Sequence, residues 1–170
     1  GSQYLDVGIA EEHAGAMASG LARGGARPIF GTDSTFFQRV YDQMSQDVAV
    51  NNNPAVFLST YATLYGMNDV THLGFFDIPL FANIPNLVFL APAGLEEYLA
   101  VLRWALAQTA HPVMIRVPVM GYETSPYPVR TDYSALNRYQ VVTEGAEVAI
   151  IGAGNFAQMA SDAAAELAKD

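Results

Sequence analysis

Two carboxylates and an imidazole stand side by side at Glu11, Glu12 and His13, within "DVGIAEEHAGAMASG", where nearly every neighbour is small or apolar. A carboxyl group partly withdrawn from water can hold or pass a proton. More plainly, both could be acidic residues in a helix's first turn, favoured by its dipole. His72, in "DVTHLGFFD", carries the side chain that titrates closest to working pH; alternatively it is a loop histidine with a structural hydrogen bond. Arg116 lies in the apolar run "VMIRVP", where an unpaired guanidinium would be costly, which makes it a stronger candidate than a surface arginine. His13 is expected to help fix a helix start, and His111 to sit in the turn before a strand. No group of these residues has metal-ligand spacing, so no metal site is expected in this chain.

These side chains must be positioned by the elements around them. Short runs rich in β-branched and aromatic residues recur, each bounded by Gly, Pro, Asn or Ser: "RPIFGT", "PAVFLST", "NLVFLAP", "PVMIRVPV" and "EVAIIGAG". They read as buried strands. "YLDVG" reads as a further strand leading into an Ala/Gly-rich helix that opens near Glu11. Phe36, Val40, Met44 and Val48 recur every four residues and predict one helical stripe, with Thr35 and Gln38 resembling a capping box. Leu95, Leu99, Leu102 and Leu106 predict a second stripe. Strands alternating with helices give an α/β fold, a three-layer α/β/α parallel sheet, with sites at the carboxyl ends of its strands.

Gly121 to Thr143 breaks this rhythm with two prolines and four tyrosines, and reads as a linker. The expected organisation is therefore a domain over 1–120, a linker over 121–143, and over 144–170 the truncated start of a further α/β domain. "GAGNFA", Gly152 to Ala157, has the form of a dinucleotide fingerprint, but its glycines are better explained by a tight strand-to-helix turn.

The 170 residues are 51% hydrophobic and 15% charged, with a formal net charge of −9. A sizeable core is expected, and a polyanion-binding face is not, so nucleic acid is excluded as a partner. The absence of cysteine excludes disulfides and thiolate metal sites. "GSQYLDVG" is no secretory signal, Gly1–Ser2 reads as a cloning remnant, and no apolar run is long enough to span a bilayer. A soluble, cytoplasmic protein without membrane contact is the expectation.

"DVGIAEEHA", "STFFQRVYDQMSQDVAV", "DVTHLGFFDIPLFANIPNLVFLAP" and "PVMIRVP", in that order, resemble the central, pyrimidine-binding domain of the transketolase superfamily. The resemblance runs from Asp6 to about Pro118 and is strongest to the 1-deoxy-D-xylulose-5-phosphate synthase branch; the tail from Glu147 resembles the start of the C-terminal domain. It implies a thiamine diphosphate-dependent transferase. Glu11 matches the glutamate that hydrogen-bonds a pyrimidine nitrogen and helps generate the ylide. Phe36 matches the aromatic residue that stacks on the pyrimidine, although its spacing alone would suit a core phenylalanine. Arg39 and Arg116 match arginines at the substrate phosphate, and His72 a histidine facing the reacting carbons, able to bond a donor carbonyl or an acceptor hydroxyl. The implied partners are a diphosphate-binding domain holding magnesium, in the same or another chain, and a second copy in a homodimer; the substrates are a sugar phosphate and a 2-oxo acid. Without the diphosphate domain the chain is expected to be inactive.

The match has departures on the substrate side. "GMNDVTH" stands where the synthase motif reads "GADGPTH", so Asn68 replaces an aspartate, in the substrate-binding position, and Asp69 a glycine. Asp33 stands at a tyrosine position, and "STYATLYG" replaces a "DRAGLVG"-like loop. Two alternatives follow: transketolase-like ketol transfer between sugar phosphates, or a non-catalytic dimerisation or assembly domain of a split or degenerate enzyme.

Overall fold

The computed structural model of the chain describes residues 3–63, 69–125, 127–130, 132–133, 135–136, 139–145 and 147–169. Four strands form one parallel sheet in the order β1-β2-β4-β3: β1 Ile29–Asp33, β2 Val56–Thr60, β3 Val88–Leu90 and β4 Val113–Arg116. Side chains alternate across the sheet, as the pleat requires. Phe57 and Met114 face one core with Phe37, Val40, Met44, Val48 and Phe81, while Val56, Val113 and Ile115 face the other with Val101, Ala105 and Tyr133. Both faces of β2 and β4 are covered, which explains why their sequences read as continuous apolar runs.

Helix α1, Glu11–Arg23, lies over the first core and buries only small residues: Ala14, Gly15, Ala18, Ser19 and Ala22. This permits a close approach. A Cβ on Gly15 would stand 2.5 Å from Val40 Cγ1, so glycine is required there. Ser19 and Asn53 are buried but satisfied: Asn53 Nδ2 donates to Ser19 Oγ at 2.8 Å, and that hydroxyl donates to the Asp47 carbonyl. Among the described residues no strand precedes α1, contrary to the reading of "YLDVG". Gly8 is left-handed at φ 67°, and its N–H donates to Asp6 Oδ1 at 2.8 Å, so a local turn replaces extended pairing.

The every-four stripe is confirmed from Val40 onward but in different geometry. A 3-10 turn, Phe36–Val40, runs into a π-helix, Gln43–Ala49. An α-helix repeats every 3.6 residues, so a strict four-residue stripe would drift off its face; the wider π turn keeps Val40, Met44 and Val48 in the core. Phe37, not Phe36, is the fully buried ring before them. The capping box does not form: Thr35 makes no side-chain cap, and its hydroxyl is buried without a described partner.

Two further expectations are corrected. In α3, Leu95–Ala107, the buried residues are Val101 and Ala105, whereas Leu95 and Leu99 are exposed and only Leu102 and Leu106 of that stripe pack on the core. "EVAIIGAG" forms no strand among the described residues, and Val148 and Ile151 are exposed. A strand exists through its ladder, and here no neighbouring strand offers one. Helix α4, Phe156–Leu167, follows a turn in which Gly154 is left-handed at φ 60°, so the glycine serves a turn but not the strand-to-helix turn expected. The 121–143 segment carries no helix or strand among its described residues.

Candidate functional site

The carboxyl ends of the strands gather most of the chemistry-bearing residues. Glu11 is the first residue of α1. Its side chain is 12% exposed, and its Oε2 accepts a hydrogen bond from Arg39 Nη1 at 3.4 Å, Arg39 being 53% exposed. The positive helix N-terminus and the guanidinium both favour negative charge at this point. Arg39 Cζ lies 5.8 Å from the centroid of the Phe36 ring, in cation–π range. Phe36 in turn meets His72 edge-on, centroids 5.2 Å apart and planes at 89°. Glu11, Arg39, Phe36 and His72 thus form one connected chain of contacts, drawn from α1, the 3-10 turn after β1 and the loop after β2.

The loop holding His72 is fastened from two sides. Gly74 presses against the end of β2: a Cβ there would stand 2.3 Å from the Tyr61 carbonyl oxygen and 2.7 Å from Ser34 Oγ. Arg116, at the end of β4, donates from Nη2 to the Gly74 carbonyl at 3.1 Å. Arg116 also donates from Nε and Nη2 to Asp77 Oδ2 and Oδ1, at 2.6 and 3.2 Å. This bidentate pair is buried. The carboxylate that an apolar-strand arginine demands is therefore Asp77, in the first turn of α2, Asp77–Phe81. Sequence inspection missed Asp77, although "FFDIP" places an acid at a helix start, where the dipole favours a carboxylate.

Asp69 and Thr71 are also site residues that sequence inspection left without a role. Asp69 Oδ1 accepts from the Thr71 backbone N–H at 2.9 Å and from its hydroxyl at 2.7 Å. These bonds hold the Asp69 carboxyl below its ordinary value, the Thr71 side chain contributing most. His72 Nδ1 lies 3.1 Å from Asp69 Oδ2 and 2.8 Å from Thr71 Oγ1. Asp33 is half-buried and accepts from the Thr60 hydroxyl at 2.8 Å, linking the ends of β1 and β2. Asn68 lies outside the described residues. His13 is exposed on α1; His111 precedes β4, its Nδ1 buried without a described partner.

A carboxyl group 12% exposed thus meets a cation half open to solvent, which in turn lies over an aromatic ring. The parallel sheet and its crossover helices define an α/β domain with its charged residues gathered at the strand ends. A sequence profile described as "Transketolase, pyrimidine binding domain" matches residues 1–124, and the chain belongs to that family. A 1-deoxy-D-xylulose-5-phosphate synthase from Clostridium acetobutylicum is 36% identical over 98% of this chain and 27% of its own length. Synthases of the same name from Symbiobacterium thermophilum and Thermus thermophilus are each 40% identical, over 98% and 96% of this chain and 26% of their own lengths. The chain thus spans about a quarter of the length of these relatives. In structure it resembles a split-gene transketolase described as an inactive beta4 tetramer, with TM-score 0.80 and 24% identity over 97% of this chain and 53% of that one. It also resembles a transketolase variant from Pichia stipitis, with TM-score 0.60 and 22% identity over 66% of this chain and 17% of that one. These structures support the fold: a parallel α/β sheet of the transketolase pyrimidine-domain type. No helix among the described residues is long and apolar enough to cross a membrane.

Proposed function

We propose that this chain is the aminopyrimidine-holding part of a thiamine diphosphate-dependent transferase. Joined by a diphosphate-binding domain that carries magnesium, in the same or a partner chain and within a homodimer, it serves a 1-deoxy-D-xylulose-5-phosphate synthase. Pyruvate would lose carbon dioxide, and its two-carbon unit would be joined to glyceraldehyde 3-phosphate, in the cytoplasm. Alone the chain is inactive. The observation that carries this reading is the contact chain Glu11–Arg39–Phe36–His72 beside the strand ends.

The residues fit the group. When bound, thiamine diphosphate supplies a nucleophilic carbon that attacks the donor's carbonyl. Glu11 holds the proton at a pyrimidine nitrogen: a carboxyl and an aromatic nitrogen can share one proton without stranding a charge in a half-dry site. Its long contact with the half-exposed Arg39 is easily exchanged, and the freed guanidinium can then meet a substrate phosphate. Phe36 offers its ring to the pyrimidine, and His72 meets a polar group of the substrate. Arg116 is held by Asp77 and Gly74, so it contributes chiefly by fixing the loop of His72. Asn68 is proposed on the substrate side by resemblance alone.

Carbon dioxide release from pyruvate by the complete enzyme tests the reading, with and without glyceraldehyde 3-phosphate. Acceptor-stimulated release is expected. Ketol transfer between sugar phosphates without pyruvate turnover would favour the transketolase-like alternative; the changes at Asp33 and Asn68 favour instead the non-catalytic one. Neither activity would leave a non-catalytic assembly domain.

A further inference from the structure

The hydrogen-bond network around His72 fixes more than the position of its ring. Asp69 is held ionised by its bonds from Thr71, so both of its oxygens act only as acceptors. The Thr71 hydroxyl has one hydrogen, and the 2.7 Å contact to Asp69 Oδ1 takes it. Thr71 Oγ1 therefore faces His72 Nδ1, 2.8 Å away, as an acceptor. The other neighbour of Nδ1 is Asp69 Oδ2 at 3.1 Å, also an acceptor. A ring nitrogen between two acceptors must carry the hydrogen; a lone pair there would oppose the carboxylate's charge. Phe36 braces the ring against reorientation. A glycine at position 69, as in the resembling motif, would have no side chain with which to build this latch.

We infer that Asp69 and Thr71 lock His72 in the Nδ1–H tautomer, leaving neutral Nε2 as an acceptor, so that the substrate group it meets is a hydroxyl rather than a carbonyl. Asp69 is a positioning residue: it acts through His72. The hydroxyl assignment rests on the proposed function; the tautomer does not. An Nε2 lone pair takes a hydrogen bond from O–H but has nothing to donate to C=O. On the proposed function, that hydroxyl is the one glyceraldehyde 3-phosphate carries beside its carbonyl.

The tautomer is read directly from long-range proton–nitrogen spectra of the full chain with labelled histidine, at alkaline pH where the imidazole is neutral. The His72 signals are assigned by their loss in His72→Gln. The unaltered chain is expected to show Nδ1–H. Asp69→Asn keeps an oxygen for Thr71 but turns an NH₂ toward Nδ1, so the ring is expected to flip to Nε2–H; Asp69→Ala, which frees the Thr71 hydroxyl to donate, should give a mixture. Nε2–H in the unaltered chain, or unchanged Nδ1–H in both variants, would overturn the latch. In the complete enzyme, Asp69→Asn is expected to lower the kcat/KM preference for a 2-hydroxyaldehyde over its deoxy analogue by about tenfold or more. An unmoved preference would overturn the hydroxyl assignment. A complete enzyme that turns over no aldehyde sinks the proposed function and the hydroxyl assignment with it, while the spectra still decide the latch.

Discussion

Arg116–Asp77 and Arg39–Glu11 are both guanidinium–carboxylate pairs beside the strand ends, closing at 2.6 and 3.4 Å. In the first pair the side chains are 9% and 0% exposed; in the second they are 53% and 12% exposed. Arg116 is bidentate to Asp77 and spends another bond on a loop carbonyl, so it is firmly held in place. Arg39 makes one long bond from a side chain half in water, so a ligand can displace it at little cost. The buried pair is architecture; the open pair is where the proposed function places a ligand.

Breaking the buried pair should have the largest effect. Asp77→Ala strands the Arg116 charge in the core, and a loss of about 3–5 kcal/mol is expected by denaturant titration; a loss under about 1 kcal/mol would contradict that assignment. Replacing both partners by apolar residues of similar volume should recover most of it.

Next comes the close packing that brings Glu11 beside Arg39. Gly15→Ala should destabilise by roughly 1–3 kcal/mol, because its Cβ would collide with Val40. Gly20→Ala on the same helix meets nothing and should stabilise by up to about 1 kcal/mol. The two melting temperatures should move in opposite directions, and parallel shifts would contradict the packing.

The open pair is worth least to stability. Arg39→Ala should cost less than about 1 kcal/mol, a loss that shrinks as salt is added. A loss approaching that of Asp77→Ala would erase the distinction between the pairs.

The pH response of Asp69 is subtler still. Its carboxyl is held below its ordinary value in the folded chain, so its contribution is present above the unfolded-state value and lost as pH falls through the lowered one. The Thr71 amide resonance should therefore titrate with a midpoint below the usual aspartate range. A midpoint at or above that range would remove the Asp69–Thr71 hydrogen bonds.

The four strands of the sheet were legible because each is an apolar run with clear punctuation, and the parallel arrangement followed from the helices between them. "EVAIIGAG" carries the same local signal yet forms no strand, since pairing is decided by neighbours rather than by the run itself. Phe36 and Phe37 were separable only by geometry: a 3-10 turn entering a π-helix sends Phe37 to the core and leaves Phe36 beside His72 and Arg39. Resemblance named Glu11, Phe36, Arg39 and His72, and the fold brings those four together. Asp77 escaped notice, and Asp69 stood out only as a departure from the motif, because each matters through a partner, Arg116 39 residues from Asp77 and His72 across a three-residue turn, whose proximity no spacing pattern reveals.

The most direct measurement compares Glu11→Gln with Arg39→Ala in the complete enzyme, reading pyruvate-dependent carbon dioxide release at saturating cofactor. Glutamine keeps the shape of Glu11 but cannot hold or return a proton, so a loss of at least about 10²-fold in kcat is expected, while Arg39→Ala should act mainly through KM for the phosphorylated acceptor. Near-normal turnover in Glu11→Gln would contradict the central claim that this carboxyl is the proton partner of the site.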